Sequence, residues 1–270
     1  MDAPPPPPIS SRHNARLKQA ARLRDSRQRR KTGLLLVDGA RETLRALQAG
    51  VTPVEAFVLE GATGPRITEA CQALEVRGVP LVQVAADPFS KLAFGDRADG
   101  VVLVAQRCER PLQRLRLPPN PLLLIVERIE KPGNLGAILR TADGAGIDAV
   151  VAVDPLADFD NPNVIRASVG AAFREGIAAA PLDETLAWLA ELGVQLVVTR
   201  PDASAAYTTI DYREPTAIVL GNEADGLSAA WDRLGATAVS LPMHGIADSL
   251  NVSTTAAVLA YEARRQRDTP

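Results

Sequence analysis

Arg140 is one of several polar residues that follow predicted buried strands in the second half of the chain. It ends the segment Glu127–Arg140, in which a strand runs into a Pro-Gly-Asn turn and then into a helix. Asn134, the last residue of that turn, is predicted to cap the helix. Apolar residues at positions 135, 138, 139 and 142 form the core-facing stripe of the helix. Arg140 lies off this stripe and can therefore point out of the domain, toward a bound substrate.

Glu223 lies between two glycines in a second segment, Ala217–Leu227. A strand ends at Gly221, and Gly226 closes the loop before a short helix. Ligands of open α/β sheets bind just outside the carboxyl ends of the strands. Because a glycine backbone can approach a ligand closely, the segment predicts a ligand-binding loop, with an ordinary turn as the alternative.

A third segment, Val239–Ser253, ends one strand and opens the last helix at the same predicted sheet edge. Ser249 is the predicted N-cap of that helix, and Asn251 is a further polar residue that a single cap does not require. Four apolar side chains of this segment could line a cleft for a flat purine, or could simply be core: Leu241, Met243, Ile246 and Leu250.

Two series of alternating strands and helices must position these segments. In the first, strands are predicted at 34–37, 54–59, 81–84 and 101–104, with helices near 40–48 and 67–76. In the second, strands at 122–127, 149–153, 195–199, 217–221 and 237–241 alternate with helices at 135–145, 164–171, 184–192, 228–234 and 251–266. The pattern predicts an α/β protein, with a mostly parallel C-terminal sheet covered on both faces behind a small N-terminal α/β domain.

The start of the chain has a different composition. Pro4–Pro8 predicts a disordered or polyproline-like tract, and residues 12–31 hold nine basic residues and one acid in a chain of net charge −2. This basic segment, in which a helix is plausible, predicts contact with RNA or DNA, with a solvated charge run as the alternative. The candidate contacts are Arg12, Arg16, Arg22, Arg29 and Arg30.

Four regions follow from these boundaries. Residues 1–31 are predicted as a basic arm, 32–106 as an RNA-binding domain, 107–120 as a linker that ends in Pro-Pro-Asn-Pro, and 121–270 as the catalytic domain. No apolar run reaches the roughly 20 residues that cross a bilayer. Two cysteines are too few for a disulfide scaffold, so a cytoplasmic location is predicted. Neither cysteine has a metal-ligand neighbour and both histidines stand alone, so no metal site is predicted.

In this order and spacing, the three segments resemble the signature motifs of the SpoU (TrmH-like) branch of the SPOUT methyltransferases, which methylate ribose in tRNA and rRNA. The resemblance covers roughly residues 121–266. More loosely, residues 33–105 resemble the ribosomal-protein-like substrate-binding domain often fused to that catalytic domain. The resemblance implies methyl transfer from S-adenosylmethionine to a ribose 2′-hydroxyl, with 23S rRNA as the expected substrate. It also implies a deep trefoil knot in the C-terminal sheet and a homodimer whose active site is completed across the interface.

The resemblance also implies roles for single residues. Arg140 would align the ribose hydroxyl and clamp phosphate, since a cationic arginine is a poor base. Asn134 and Glu223 would hold Arg140 and the ribose, while Ser249 and Asn251 would shape the pocket. Arg166 would bind a substrate phosphate; the alternative is that it is an ordinary surface arginine. The implied cofactor contacts are Thr199, Leu220, Gly221, Asn222, Leu241, Met243 and Leu250, and the implied dimer contacts are Val252, Ala256, Val258 and Leu259.

Three alternatives stay open from the sequence. The substrate could be tRNA, or the chain could be a non-catalytic RNA-binding or ribosome-assembly factor that kept the fold. A nucleotide-dependent oxidoreductase is disfavoured because the G-x-G-x-x-G fingerprint of dinucleotide sites is missing.

Overall fold

The computed structural model describes residues 7–93, 99–222 and 225–269. In chain order, their helices are α1 (Ala15–Arg22), α2 (Ser26–Thr32), α3 (Ala40–Gln48), α4 (Pro65–Glu75), α5 (Ala86–Phe89), α6 (Pro132–Gly144), α7 (Pro162–Ala167), α8 (Leu182–Leu192) and α9 (Val252–Asp268). The strands are β1 (Leu34–Asp38), β2 (Pro53–Leu59), β3 (Leu81–Val84), β4 (Val101–Gln106), β5 (Leu122–Glu127), β6 (Ala149–Val153), β7 (Ile177–Ala180), β8 (Gln195–Thr199), β9 (Ala205–Ala206), β10 (Thr216–Leu220) and β11 (Thr237–Ser240). Residues 229–234, predicted as a helix, form a 3-10 helix.

The chain divides into two compact units. The N-terminal unit comprises Met1–Cys108 and Phe159–Phe173, and the C-terminal unit comprises Glu109–Asp158 and Arg174–Pro270. The segment Phe159–Phe173, which includes α7, therefore belongs to the N-terminal unit although it lies within the predicted catalytic region. The predicted linker is also packed rather than free, since Leu112 is 2% exposed in the core of the C-terminal unit.

A parallel seven-stranded sheet, in the order β7-β6-β5-β10-β8-β11-β9, forms the centre of the C-terminal unit. Every residue of β5, β6 and β10 is buried, as expected for the central strands of a parallel sheet. This confirms the predicted parallel α/β fold. Strands β7 and β9 were not predicted, because β7 reads Ile-Ala-Ala-Ala, with no strand-favouring pattern, and β9 has two residues.

A four-stranded sheet in the order β1-β4-β2-β3 forms the centre of the N-terminal unit. Strand β4 is antiparallel to both neighbours, and β2 and β3 are parallel. The basic segment is not an arm here. It forms α1 and α2, separated at Asp25, whose carboxylate caps α2 by accepting from the Gln28 N–H at 3.0 Å. Leu17, Ala20 and Leu23 of this segment are buried in the core of the unit.

No helix in the described part of the chain is both long and apolar enough to span a membrane.

Candidate active site

A cavity of about 530 Å³ opens in the C-terminal unit at the carboxyl ends of β8, β10 and β11. The first turn of α9 closes its far side. Its walls are formed by Lys131, Thr199, Arg200, Pro201, Leu220, Gly221, Asn222, Asp225, Gly226, Val239, Ser240, Leu241, Met243, Asp248, Ser249, Leu250, Asn251, Val252 and Thr255. The strand ends of a parallel sheet are where α/β folds bind ligands, and this cavity has the size of a small-molecule site.

Every residue named as a cofactor contact lines this one cavity. Thr199 and Leu220 lie at the ends of β8 and β10, and the others follow from the loops after β10 and β11. Ser249 and Asn251 line the same cavity. The Thr199 hydroxyl donates to the Val219 carbonyl at 3.2 Å, so its oxygen can still accept a hydrogen bond from a ligand.

Two backbone hydrogen bonds close the loop after β10 at its base. The Asn222 N–H donates to the Gly226 carbonyl and the Gly226 N–H donates to the Asn222 carbonyl, both at 3.0 Å. Gly221 makes this close approach possible, because a Cβ at that position would lie 2.4 Å from the Gly226 carbonyl carbon. Gly226 has a φ of +69°, in the left-handed region that favours glycine. Gly221 and Gly226, which have no side chains, thus present backbone to the cavity.

Two predicted helix caps were wrong. Helix α6 begins at Pro132 with Lys131 as its N-cap, so Asn134 is the third residue of the first turn. Proline favours the first helical position, and this signal was available in the sequence. Helix α9 is capped by Asn251, whose Oδ1 accepts from the Ser253 N–H at 2.9 Å, and not by Ser249. Ser249 is instead an exposed residue of the cavity wall.

Asn251 also joins the first and third segments. Its Nδ2 donates to Asn134 Oδ1 at 3.3 Å, which links the first turn of α6 to the start of α9. Asn134 Nδ2 is itself buried, with no partner among the described residues.

Arg140 is exposed on α6, as predicted from its position off the apolar stripe, and none of the described residues pairs with its guanidinium. It does not line the cavity, and Glu223 lies outside the described residues.

Four charged residues of the cavity wall were not predicted. Lys131 precedes α6, Arg200 directly follows Thr199, and Asp225 and Asp248 lie in the two loops. Arg200 forms an ion pair with Asp232 at 2.7 Å. Adjacency to a strand end was the signal that could have identified Arg200. The cavity therefore presents both charge signs beside apolar walls, which suits a ligand that carries polar and flat apolar parts.

The predicted dimer contacts on α9 are mostly internal. Val252, Ala256 and Leu259 are buried within the single chain, so they belong to its core. Helix α9 instead exposes Tyr261, and the loop before it exposes Leu250 and Ile246.

The predicted RNA contacts differ in their surroundings. Arg12 and Arg16 are exposed but form ion pairs with Asp87 at 2.6 Å and Glu55 at 2.7 Å. Arg29 is 1% exposed, and its Nη1 donates to the carbonyls of Leu23 and Arg24. A guanidinium enclosed in this way stabilises the turn between α1 and α2, so Arg29 is not available to a phosphate.

Five cations of α1 and α2 are exposed, and the described part of the chain offers their side chains no hydrogen bond or ion pair: Lys18, Arg22, Arg27, Arg30 and Lys31. We call them the α1–α2 cations. Arg22 and Arg30 were predicted contacts, and the other three were not among the candidates.

Arg166 lies on α7 within the N-terminal unit. Its Nη1 donates to Asp38 Oδ2 at 2.8 Å, and the Asp38 side chain is 1% exposed. This partly buried ion pair balances the Asp38 carboxylate. Arg166 is therefore neither a plain surface arginine nor an unpaired phosphate ligand.

Across residues 7–93, 99–222 and 225–269, no group of His, Cys, Asp and Glu is arranged to hold a metal ion.

Comparison with known proteins gives consistent matches along the chain. Residues 121–261 match the SpoU rRNA Methylase family, and residues 14–103 match the MRM3-like substrate binding domain. A curated relative, the 23S rRNA (uridine(2479)-2'-O)-methyltransferase of Streptomyces viridochromogenes, is 32% identical over 96% of this chain and 92% of its own. Two solved structures are also similar. One, an RNA 2'-O ribose methyltransferase, has a TM-score of 0.87 and 42% identity over 96% of this chain and 98% of that one. The other, an AdoMet-bound rRNA methyltransferase from Sinorhizobium meliloti, has a TM-score of 0.86 and 28% identity over 96% and 97%.

Proposed function

Because the chain belongs to the SpoU rRNA Methylase family, we propose that it transfers a methyl group from S-adenosylmethionine to a ribose 2′-hydroxyl of 23S rRNA. One observation carries the proposal. The loops after β8, β10 and β11 converge on a single cavity that takes in every residue assigned to the cofactor from the resemblance.

The cavity fits S-adenosylmethionine in size and chemistry. Its volume of about 530 Å³ lies within the roughly 300–1,000 Å³ of small-molecule sites. Leu220, Leu241, Met243 and Leu250 would hold the flat adenine, while backbone groups at Gly221 and Asn222 would fix its orientation. When bound, the cofactor supplies a methyl group already activated on a sulfonium. The protein must then position the ribose oxygen and accept or relay its proton.

Arg140 is proposed to align the ribose hydroxyl and clamp a neighbouring phosphate. It is exposed, it carries a fixed positive charge, and its planar fork matches phosphate oxygens. Asn134 and Asn251, already hydrogen-bonded to each other, would fix the ribose at the cavity mouth, with Ser249 beside them. Glu223 would hold the arginine and the ribose, as the family resemblance implies.

We further propose that the C-terminal sheet contains a trefoil knot, that the chain forms a homodimer and that it is located in the cytoplasm. The exposed loop before α9 supports the homodimer, because Ile246 is 104% exposed in the single chain and Leu250 of the same loop is also exposed, as is Tyr261 on α9. A partner subunit would cover these side chains and could bring its own groups to Arg140. Equilibrium sedimentation of the full chain tests this directly, and a monomer of 28.6 kDa would contradict it. The cytoplasmic location is proposed because two cysteines are too few for a disulfide scaffold.

Ribose methylation in cells tests the proposed function. We expect 23S rRNA to lose one 2′-O-methyl group when the gene is deleted, and the purified chain to restore it from S-adenosylmethionine labelled in its methyl group. Label in tRNA alone would make tRNA the substrate. Binding of S-adenosylmethionine without methylation of any RNA would indicate a non-catalytic factor.

The α1–α2 cations are proposed to contact rRNA phosphates, since exposed, unpaired cations release counterions when they bind nucleic acid. Truncating residues 1–31 would not test this, because it removes core residues such as Leu17. Replacing Arg22, Arg27 and Arg30 with alanine keeps the core. We expect rRNA affinity at 0.1 M salt to fall about tenfold and the slope of log affinity against log salt to decrease by about 2.

The matched control replaces Arg12 and Arg16 with alanine, because these arginines are already ion-paired within the unit. We expect the control to change RNA affinity and the salt slope much less than the triple variant does. An unchanged affinity and slope in the triple variant would reject the α1–α2 cations as an RNA contact.

A further inference from the structure

Glu127 is a buried carboxylate at the carboxyl end of β5. It is 2% exposed, and none of the residues described here forms an ion pair with it. Its Oε2 accepts two hydrogen bonds, from the Ser228 N–H at 3.0 Å and from the Trp231 indole N–H at 2.9 Å. Burying a carboxylate is costly unless hydrogen bonds satisfy it, and without Glu127 both of these N–H donors would lose their acceptor. Glu127 therefore controls the position of the segment that carries the two donors.

Both of its donors follow the loop after β10. That loop lines the cavity at Gly221, Asn222, Asp225 and Gly226, and Ser228 is the second residue beyond Gly226. Glu127 thus holds the chain where the loop leaves the cavity. Trp231, which is fully buried, extends this attachment into the core.

The residue after Glu127 holds the other end of the same loop. Arg128 has a φ of +51°, an uncommon conformation for a residue other than glycine. Its carbonyl accepts from Asn222 Nδ2 at 3.2 Å, where the loop enters the cavity. The end of β5 therefore fixes the loop on both sides of the hydrogen-bonded pair formed by Asn222 and Gly226.

We propose that Glu127 is a positioning residue for S-adenosylmethionine: by holding Ser228 and Trp231, it sets where the backbone of Gly226, two residues earlier, lies against the cofactor. Glu127 does not line the cavity, so it acts through the loop and not by contact. The inference rests on the proposed function, because it requires that the cavity bind this cofactor.

The test measures binding of S-adenosylhomocysteine, the unreactive product form of the cofactor, by calorimetry. Glu127→Ala leaves the buried Trp231 indole N–H and the part-buried Ser228 N–H without their acceptor, which should displace the loop and raise Kd about tenfold. Glu127→Gln keeps an acceptor oxygen but loses the charge, so it should raise Kd less, by about threefold. Hydrogen exchange provides the second readout. In both variants, the amides of residues 226–231 should exchange faster while those of α6 keep the wild-type rate.

Asp148→Ala is the matched control. The Asp148 carboxylate also accepts a backbone N–H, that of Leu122 at 2.7 Å, but at the opposite end of β5 from the cavity. We expect this variant to lower the urea midpoint and to leave Kd within about twofold of wild type, because the loss is purely structural.

The outcomes separate the inference from the proposed function. A wild-type chain that does not bind S-adenosylhomocysteine contradicts the proposed function itself. Wild-type binding with an unchanged Kd in folded Glu127→Ala overturns the inference, as does an equal loss of affinity in Asp148→Ala. Should Glu127→Ala fail to fold, Glu127→Gln decides, and wild-type affinity together with wild-type exchange at residues 226–231 overturns the inference.

Discussion

Alanine at position 140 is expected to lower kcat for ribose methylation by about a hundred- to a thousandfold, the range associated with losing a group that orients the reacting atoms. Affinity for S-adenosylhomocysteine should stay within about twofold of wild type, because Arg140 does not line the cofactor cavity. The guanidinium is exposed on α6, and among the described residues it supports no other part of the fold. Its loss should therefore leave the free energy of unfolding almost unchanged.

Two further variants sharpen this prediction. Arg140→Lys keeps the positive charge but loses the planar fork, so it should recover part of the substrate affinity and little of kcat. Arg233→Ala removes an exposed arginine of the same unit that does not line the cavity, and it should leave the rate near wild type. Single-turnover methylation of 23S rRNA measures all three. Near-normal turnover in Arg140→Ala would remove Arg140 from the reaction.

The strands could be predicted because the signal that defines them is local. Runs such as residues 122–126 are apolar throughout, and a parallel sheet buries both faces of its central strands. Convergence of the loops after β8, β10 and β11 followed from the same rule, because parallel strands end at one edge. The identity of the ligand did not follow from periodicity. It came from the order and spacing of Asn134, Arg140, Glu223, Ser249 and Asn251, which are properties of a family.

What the sequence could not supply was the partner of each polar group. Ser249 and Asn251 are both good caps, and only the backbone dihedral angles decide which one precedes the helix. Asp38 pairs with Arg166 across 128 positions, and Glu127 meets Trp231 across 104. No local pattern contains such pairs. The burial of Arg29 likewise depends on how α2 folds back on Leu23 and Arg24.

Gly221→Ala is expected to weaken cofactor binding strongly while the C-terminal unit stays folded. A Cβ at this position would lie 2.4 Å from the Gly226 carbonyl carbon, 2.5 Å from its oxygen and 2.6 Å from the Leu227 nitrogen. These are backbone atoms, so no side-chain rotation can relieve the overlap. The hydrogen-bonded pair between Asn222 and Gly226 must then open, which moves the backbone that lines the cavity. We expect Kd for S-adenosylhomocysteine to rise at least about a hundredfold, since overpacking of this kind costs about 1–3 kcal/mol and the loop must also be reordered on binding.

Gly226→Ala is the control within the same loop. Among the described residues, a Cβ there meets no atom within 4 Å, so within the protein its cost is a positive φ of +69° for a residue other than glycine. That cost is about 1–2 kcal/mol, so binding should weaken by about tenfold. Calorimetry on the two variants separates steric overlap from backbone strain. Equal losses would mean that the loop tolerates the alanine at position 221 by moving elsewhere, and wild-type binding in Gly221→Ala would mean that this loop does not shape the cofactor site.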